Sequence, residues 1–233
     1  MSALTRLETA WSELDVEWMG ASGSTLRLAG LLSVAGLSMA VVQSLAPTLT
    51  PWGWAALVAL GLGLPAPLYA VLVLGETPRS LGLGLGRMAE EPWLYGAGLV
   101  VLVAGAAQGS ASAANQAVYP MIGLDGLDLG RMLAWTLAYG AQFVALEVFV
   151  RGALLVPLAR RMGSLAVATT VLPYVMLHGL WDKPLAEAAA SIVFALFTGT
   201  LALRHRSLWG CVALHLAVAW AMDWGVVLRL GAL

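Results

Sequence analysis

Along this chain apolar residues gather into long blocks instead of alternating with polar ones. Seven blocks are long enough to cross a bilayer, which takes about 20 residues in a helix: Thr25–Leu45, Trp52–Leu74, Pro92–Gln116, Arg131–Ala159, Gly163–Trp181, Leu185–Leu203 and Leu208–Leu230. The pattern predicts an all-α fold, a polytopic transmembrane helical bundle of about seven spans. The third block departs most from the pattern, because Gly105, Gly109, Ser110, Ser112, Asn115 and Gln116 make its second half small and polar. Such residues suit close helix packing. Ahead of the first block, Arg6, Glu8, Glu13, Asp15 and Glu17 are interleaved with Leu4, Leu7, Trp11, Leu14, Trp18 and Met19. That predicts a short amphipathic surface helix, and the segment lacks the basic start and small-residue cleavage site of a signal peptide. The expected division is an amphipathic segment at 1–24, N-terminal spans at 25–130 and a second group of spans at 131–233, with no separate soluble domain.

Composition agrees with the pattern. With 60% hydrophobic and 11% charged residues and a mean hydropathy of +0.85, the chain reads as an integral membrane protein with the lipid bilayer as its surroundings. A net charge of -1 offers no basic field for nucleic acid. The single cysteine, Cys211, excludes an intramolecular disulfide. Across seven spans, Arg6, Arg27, Arg79, Arg87, Arg160, Arg161, Arg204 and Arg206 fall on one side and Arg131, Lys183 and Arg229 on the other. That asymmetry puts the N-terminus in the cytoplasm. The Ala-, Gly- and Leu-rich usage is compatible with a bacterial cell membrane.

Few ionisable groups lie inside the blocks. Glu147 and Arg151 are four residues apart, so on a helix they share a face and can pair. His178 lies in the fifth block, with Tyr174 one turn earlier, and His215 and Asp223 lie two turns apart in the seventh. His205, between Arg204 and Arg206, reads as a solvated loop residue. Pro173 leaves a backbone carbonyl without its helical donor close to His178. Intramembrane ionisable groups point to function, while the plainer reading is a helix-locking salt bridge and histidines that satisfy backbone carbonyls. Taken together, Glu147, His178 and His215 are expected to meet in one wet pocket suited to water activation.

The order Leu-Glu-Val-Phe-Val-Arg-Gly (146–152), Tyr-Val-Met-Leu-His-Gly (174–179) and Arg-Ser-Leu-Trp-Gly-Cys-Val-Ala-Leu-His (206–215) resembles the CPBP (CAAX protease and bacteriocin-processing, also called Abi) family of intramembrane endopeptidases. The family motifs are EExxxR, FxxxH and HxxxN/D, and the resemblance spans roughly Ala138 to Trp224. It makes 131–233 the catalytic-core spans. By resemblance Glu147 is the second glutamate of the first motif, Arg151 its arginine, His178 the second-motif histidine with Tyr174 in place of phenylalanine, and His215 the third-motif histidine. In the family the first glutamate and the second-motif histidine activate water, and the third-motif histidine with the following Asn or Asp stabilises the oxyanion. Two positions depart: Leu146 stands where the first glutamate belongs, and Ala219 where the last Asn or Asp belongs.

The function these readings imply is hydrolysis of a peptide bond in a membrane-associated, prenylated or leader-bearing protein. Glu147 and His178 would act on water, His215 on the tetrahedral intermediate, and Arg151 would fix the glutamate, with Tyr174 and Asp223 in support. No metal or cofactor is expected, since no HExxH spacing accompanies the histidines. The alternative is a catalytically impaired member that binds a membrane peptide or partner, for which Leu146 and Ala219 speak. A small transporter is a third, weaker reading, because no internal repeat is evident.

Overall fold

Prolines and side-chain caps set most of the helix boundaries. The computed structural model describes residues 24–178 and 183–233. Helix α1 covers Ser24–Leu45. Helix α2, Pro51–Gly63, starts with a proline whose missing N–H costs nothing in a first turn, and Thr50 Oγ1 caps it by accepting from the Gly53 N–H at 3.2 Å. Pro65 then opens α3, Pro65–Leu72, after a break at Leu64. Helix α4 spans Pro92–Gly109 and α5 spans Ala113–Gln116. Helix α6, Leu129–Glu147, is capped by Asp128, whose Oδ1 accepts from the Arg131 N–H at 2.7 Å. It continues through a π-helical stretch, Val148–Leu155, into α7, Val156–Met162. Then come α8 (Leu165–Thr169), α9 (Val171–His178), α10 (Leu185–His205) and α11 (Trp209–Arg229).

Among the described residues all of this is helical, and the chain is an all-α polytopic bundle and an integral membrane protein. Six helices, not seven, are long and apolar enough to cross a membrane among those residues. The block at 163–181 supplies only a shorter apolar helix, Leu165–Leu177. It turns at Thr170 because Pro173 has no N–H to offer the Thr169 carbonyl. The third block also ends early. Its small polar half leaves the helix at Gly109, and the Asn115 and Gln116 side chains donate to the carbonyls of Gly109 (2.8 Å) and Ser110 (3.1 Å). The expected surface helix at 1–24 falls almost wholly outside the described residues.

The Leu129–Met162 rod is the axis of the bundle and its most buried span. It packs against α2 and α11, while α4 lies along α11 and α9 along α10. Gly63 permits the close approach to α6, since a Cβ there would stand 2.8 Å from that of Ala145. Leu37, Leu60, Leu72, Val101, Leu137, Val193 and Leu228 are exposed on the rim, as lipid-facing residues are.

At one end lie Arg79, Arg87, Arg160, Arg161, Arg204 and Arg206. His205 differs from its sequence reading. It is only 1% exposed, with Nδ1 2.6 Å from the Tyr95 hydroxyl and Nε2 2.9 Å from Glu91 Oε2. The left-handed Arg206 (φ 52) ends α10 and turns the chain, so His205 faces inward while its neighbours face out.

Candidate active site

Helix α6 carries an aromatic ladder at four-residue intervals, which places Trp135, Tyr139 and Phe143 on one face. Trp135 stacks on Tyr139 with centroids 4.8 Å apart, Tyr139 meets Phe143 at 4.7 Å, and Phe143 meets the His215 ring at 4.1 Å. One residue past the end of α6 the backbone widens into the π stretch. Such turns are rare and gather at functional sites. Glu147 is the last α-helical residue before it and Arg151 lies inside it.

Around Glu147 three side chains from three other elements converge. Its Oε1 accepts a short hydrogen bond from the Tyr174 hydroxyl and stands 2.8 Å from His215 Nδ1. The Tyr174 oxygen is itself 3.0 Å from that nitrogen. On the far side Arg151 Nε lies 3.6 Å from Glu147 Oε2, a contact of charges without a hydrogen bond. The Arg151 guanidinium is held elsewhere: Nη2 donates to Thr198 Oγ1 at 2.7 Å and to the Ala195 carbonyl at 3.2 Å, and its carbon sits 4.6 Å over the Tyr174 ring. The Glu147 and Arg151 side chains are wholly buried.

Beside this cluster lies a cavity of about 550 Å³, walled in part by Tyr139, Phe143, Tyr174, Phe194, His215 and Ala219. Glu147 is not on its wall, because Tyr174 and His215 lie between it and the space. With Nδ1–H donating to the carboxylate, His215 presents Nε2 as the acceptor, the tautomer that abstracts a proton. At the other end of the cavity Tyr119, Lys183 and Glu187 meet. The Tyr119 hydroxyl donates to Glu187 Oε1 at 2.6 Å and accepts a short bond from Lys183 Nζ, which also reaches Glu187 at 2.8 Å. Burial, reinforced by the nearby Glu187 carboxylate, holds the Tyr119 hydroxyl well above its ordinary pKa. The sequence reading used Lys183 only as a loop charge and passed over Tyr119, since a tyrosine before a proline in a loop gives no spacing signal.

Of the residues singled out from sequence, Glu147, Arg151, Tyr174 and His215 come together. Asp223 is buried and accepts from Trp135 Nε1 at 2.7 Å. It bonds to α6 and not to His215. His178 ends α9, but its side chain lies outside the described residues.

An all-helical membrane protein with an acid, an imidazole and a phenol gathered beside an intramembrane cavity defines the class. Residues 128–221 match the family model of the type II CAAX prenyl endopeptidase Rce1-like proteins, a match that supports membership of the CPBP/CAAX protease family. No curated protein and no solved structure matches the chain.

Proposed function

We propose that the chain is an intramembrane endopeptidase of the CAAX-protease type that hydrolyses a peptide bond in a membrane-associated protein. The observation that carries this reading is the buried Glu147–His215 pair set behind a cavity wall that His215 itself forms. Because the carboxylate lies behind the imidazole, His215 takes the proton from water, and Glu147 orients the ring and stabilises the imidazolium. Arg151 balances the carboxylate, and the Tyr174 hydroxyl fixes its Oε1. His178 enters from its motif position alone, as the second imidazole at the reacting carbonyl. The arginine-rich end faces the cytoplasm of a bacterial cell, in keeping with the charge asymmetry of the loops.

One observation favours a second reading. Ala219 lies on the cavity wall next to His215, where the family motif carries Asn or Asp, and Leu146 stands in place of a glutamate. Loss of one oxyanion donor costs about a hundred- to a thousandfold in rate. A chain so depleted would hold a membrane peptide without cutting it.

Proteoliposomes containing the full chain and a fluorogenic prenylated peptide separate the two. Under the first reading the wild type cleaves, and Glu147→Gln, His215→Ala and His178→Ala each abolish cleavage while peptide binding persists. Binding by the wild type with no hydrolysis, at any enzyme concentration, replaces the first reading with the second.

A further inference from the structure

We propose that a second cavity, at the arginine-rich end of the bundle, binds a phosphate-bearing anion, the phosphate of an anionic lipid headgroup or a free phosphate. The cavity measures about 770 Å³ and is walled by Arg79, Arg87, Arg151, Arg160 and Arg206, with no acidic residue on its wall. Two of the five have their charge met: Arg160 by Glu76 at 2.6 Å, and Arg151 by Glu147 at 3.6 Å. Arg87 donates to the Arg204 carbonyl at 2.6 Å and stands 4.0 Å from Glu90. Arg79 and Arg206 bond to no described residue.

A buried group supplies the second observation. Arg151 closes the inner wall of this cavity, its side chain is fully buried, and its Nη1 has no hydrogen-bond partner among the described residues. A guanidinium taken out of water with donors unused calls for an acceptor. Several arginines around one hollow repel each other until an anion sits among them, and the planar two-pronged donor of arginine matches the oxygens of a phosphate. Helix α11 adds to the field. It begins at Trp209, immediately after Ser207 and Leu208 on the cavity wall, so its positive end points into the same space.

The surroundings suit a headgroup. Leu85 is exposed in the loop beside the cavity, and Trp209 is exposed at the start of α11 with its Nε1 bonded to the Leu83 carbonyl at 2.8 Å. An exposed indole and an exposed leucine at this end of the bundle belong at the level where acyl chains give way to headgroups. A lipid phosphate would be held there by Arg79 and Arg206 and reached from within by Arg151. The site stands whether or not the chain cleaves peptides.

The test measures thermal unfolding of the purified full chain in mixed micelles to which phosphatidylglycerol, phosphatidylcholine or inorganic phosphate is added. Phosphatidylglycerol is expected to raise the unfolding temperature above the phosphatidylcholine level in a saturable way. Arg79→Gln/Arg206→Gln is expected to weaken that effect more than tenfold, and Arg161→Gln, at the same end but off the cavity wall, to leave it within twofold. Inorganic phosphate that reproduces the stabilisation identifies a soluble phosphate as a sufficient ligand. Its failure alongside a phosphatidylglycerol effect identifies the headgroup in its membrane setting. Equal response to the two lipids with none to phosphate, or equal loss in Arg161→Gln and the double variant, overturns the site in favour of a diffuse basic surface.

Discussion

Tyr174 is the residue whose chemistry the motif alone does not convey. The family position is a phenylalanine, which fills space; here the added hydroxyl donates to Glu147 Oε1 and sits 3.0 Å from His215 Nδ1. Tyr174→Phe keeps the ring beneath the Arg151 guanidinium and against Phe194 but removes one donor from a buried carboxylate. The expected cost is about 1.5 to 3 kcal/mol, the usual value for a hydrogen bond to a charged group. It should appear as a lower unfolding temperature, with cleavage slowed through kcat and KM little changed. Arg151→Met is harsher, because it leaves the Glu147 charge buried and unpaired, at about 3 to 5 kcal/mol. Arg151→Lys should rescue only part of that loss in the same unfolding measurement, since an ammonium cannot reach Thr198, Ala195 and Glu147 together. The spacing of the motifs brought Glu147, Arg151, Tyr174 and His215 to notice. It gave no sign that Glu147 sits behind His215, because depth depends on where the π stretch turns the helix.

At the scale of elements, the ends of α10 and α4 are tied by Glu91. Arg204 and then His205 donate to its carboxylate, and together they hold it below the usual carboxylate range. A carboxyl whose folded value is depressed contributes stability above the unfolded pKa of about 4.3 and loses it as pH falls through the folded value. The unfolding temperature in detergent should therefore fall as pH drops through and below the carboxylate range, and Glu91→Gln should flatten that fall. Between α2 and α6 the contact is steric. Gly63→Ile would drive a branched side chain into Ala145, with an expected loss of about 1 to 3 kcal/mol from overpacking, read from the same melting curves. The long apolar blocks were legible as helices because every backbone polar group in lipid must be satisfied within its own segment. The turn at Thr170 followed from Pro173, and the early end at Gly109 from side chains that compete for carbonyls, a competition hydropathy does not register.

For the whole molecule, the loop arginines form one end of the bundle and the Tyr119–Lys183–Glu187 cluster belongs to the other group of loops. The orientation proposed above predicts that a cysteine at Asp125 is labelled from outside intact cells and one at Arg161 only after the membrane is opened, in a background with Cys211→Ala. Cys211 is buried, donating to the Thr198 carbonyl at 3.1 Å, and should stay silent to the same reagent. Labelling of both engineered cysteines from one side would rule that orientation out.

By itself the sequence determined that the chain lies in a membrane as a bundle of helices, and it singled out Glu147, Arg151, Tyr174, His178, His215 and Asp223 as the polar side chains within it. Both follow from local causes, the cost of exposed backbone in lipid and the fixed angular step of a helix. Only the tertiary structure decided which of those groups reaches the cavity, that Asp223 belongs to Trp135, and that His205 is interior. It also decided that arginines from two separate loops, from α7 and from the buried π stretch share a single hollow. Those outcomes depend on how distant segments meet, which no spacing along one helix encodes.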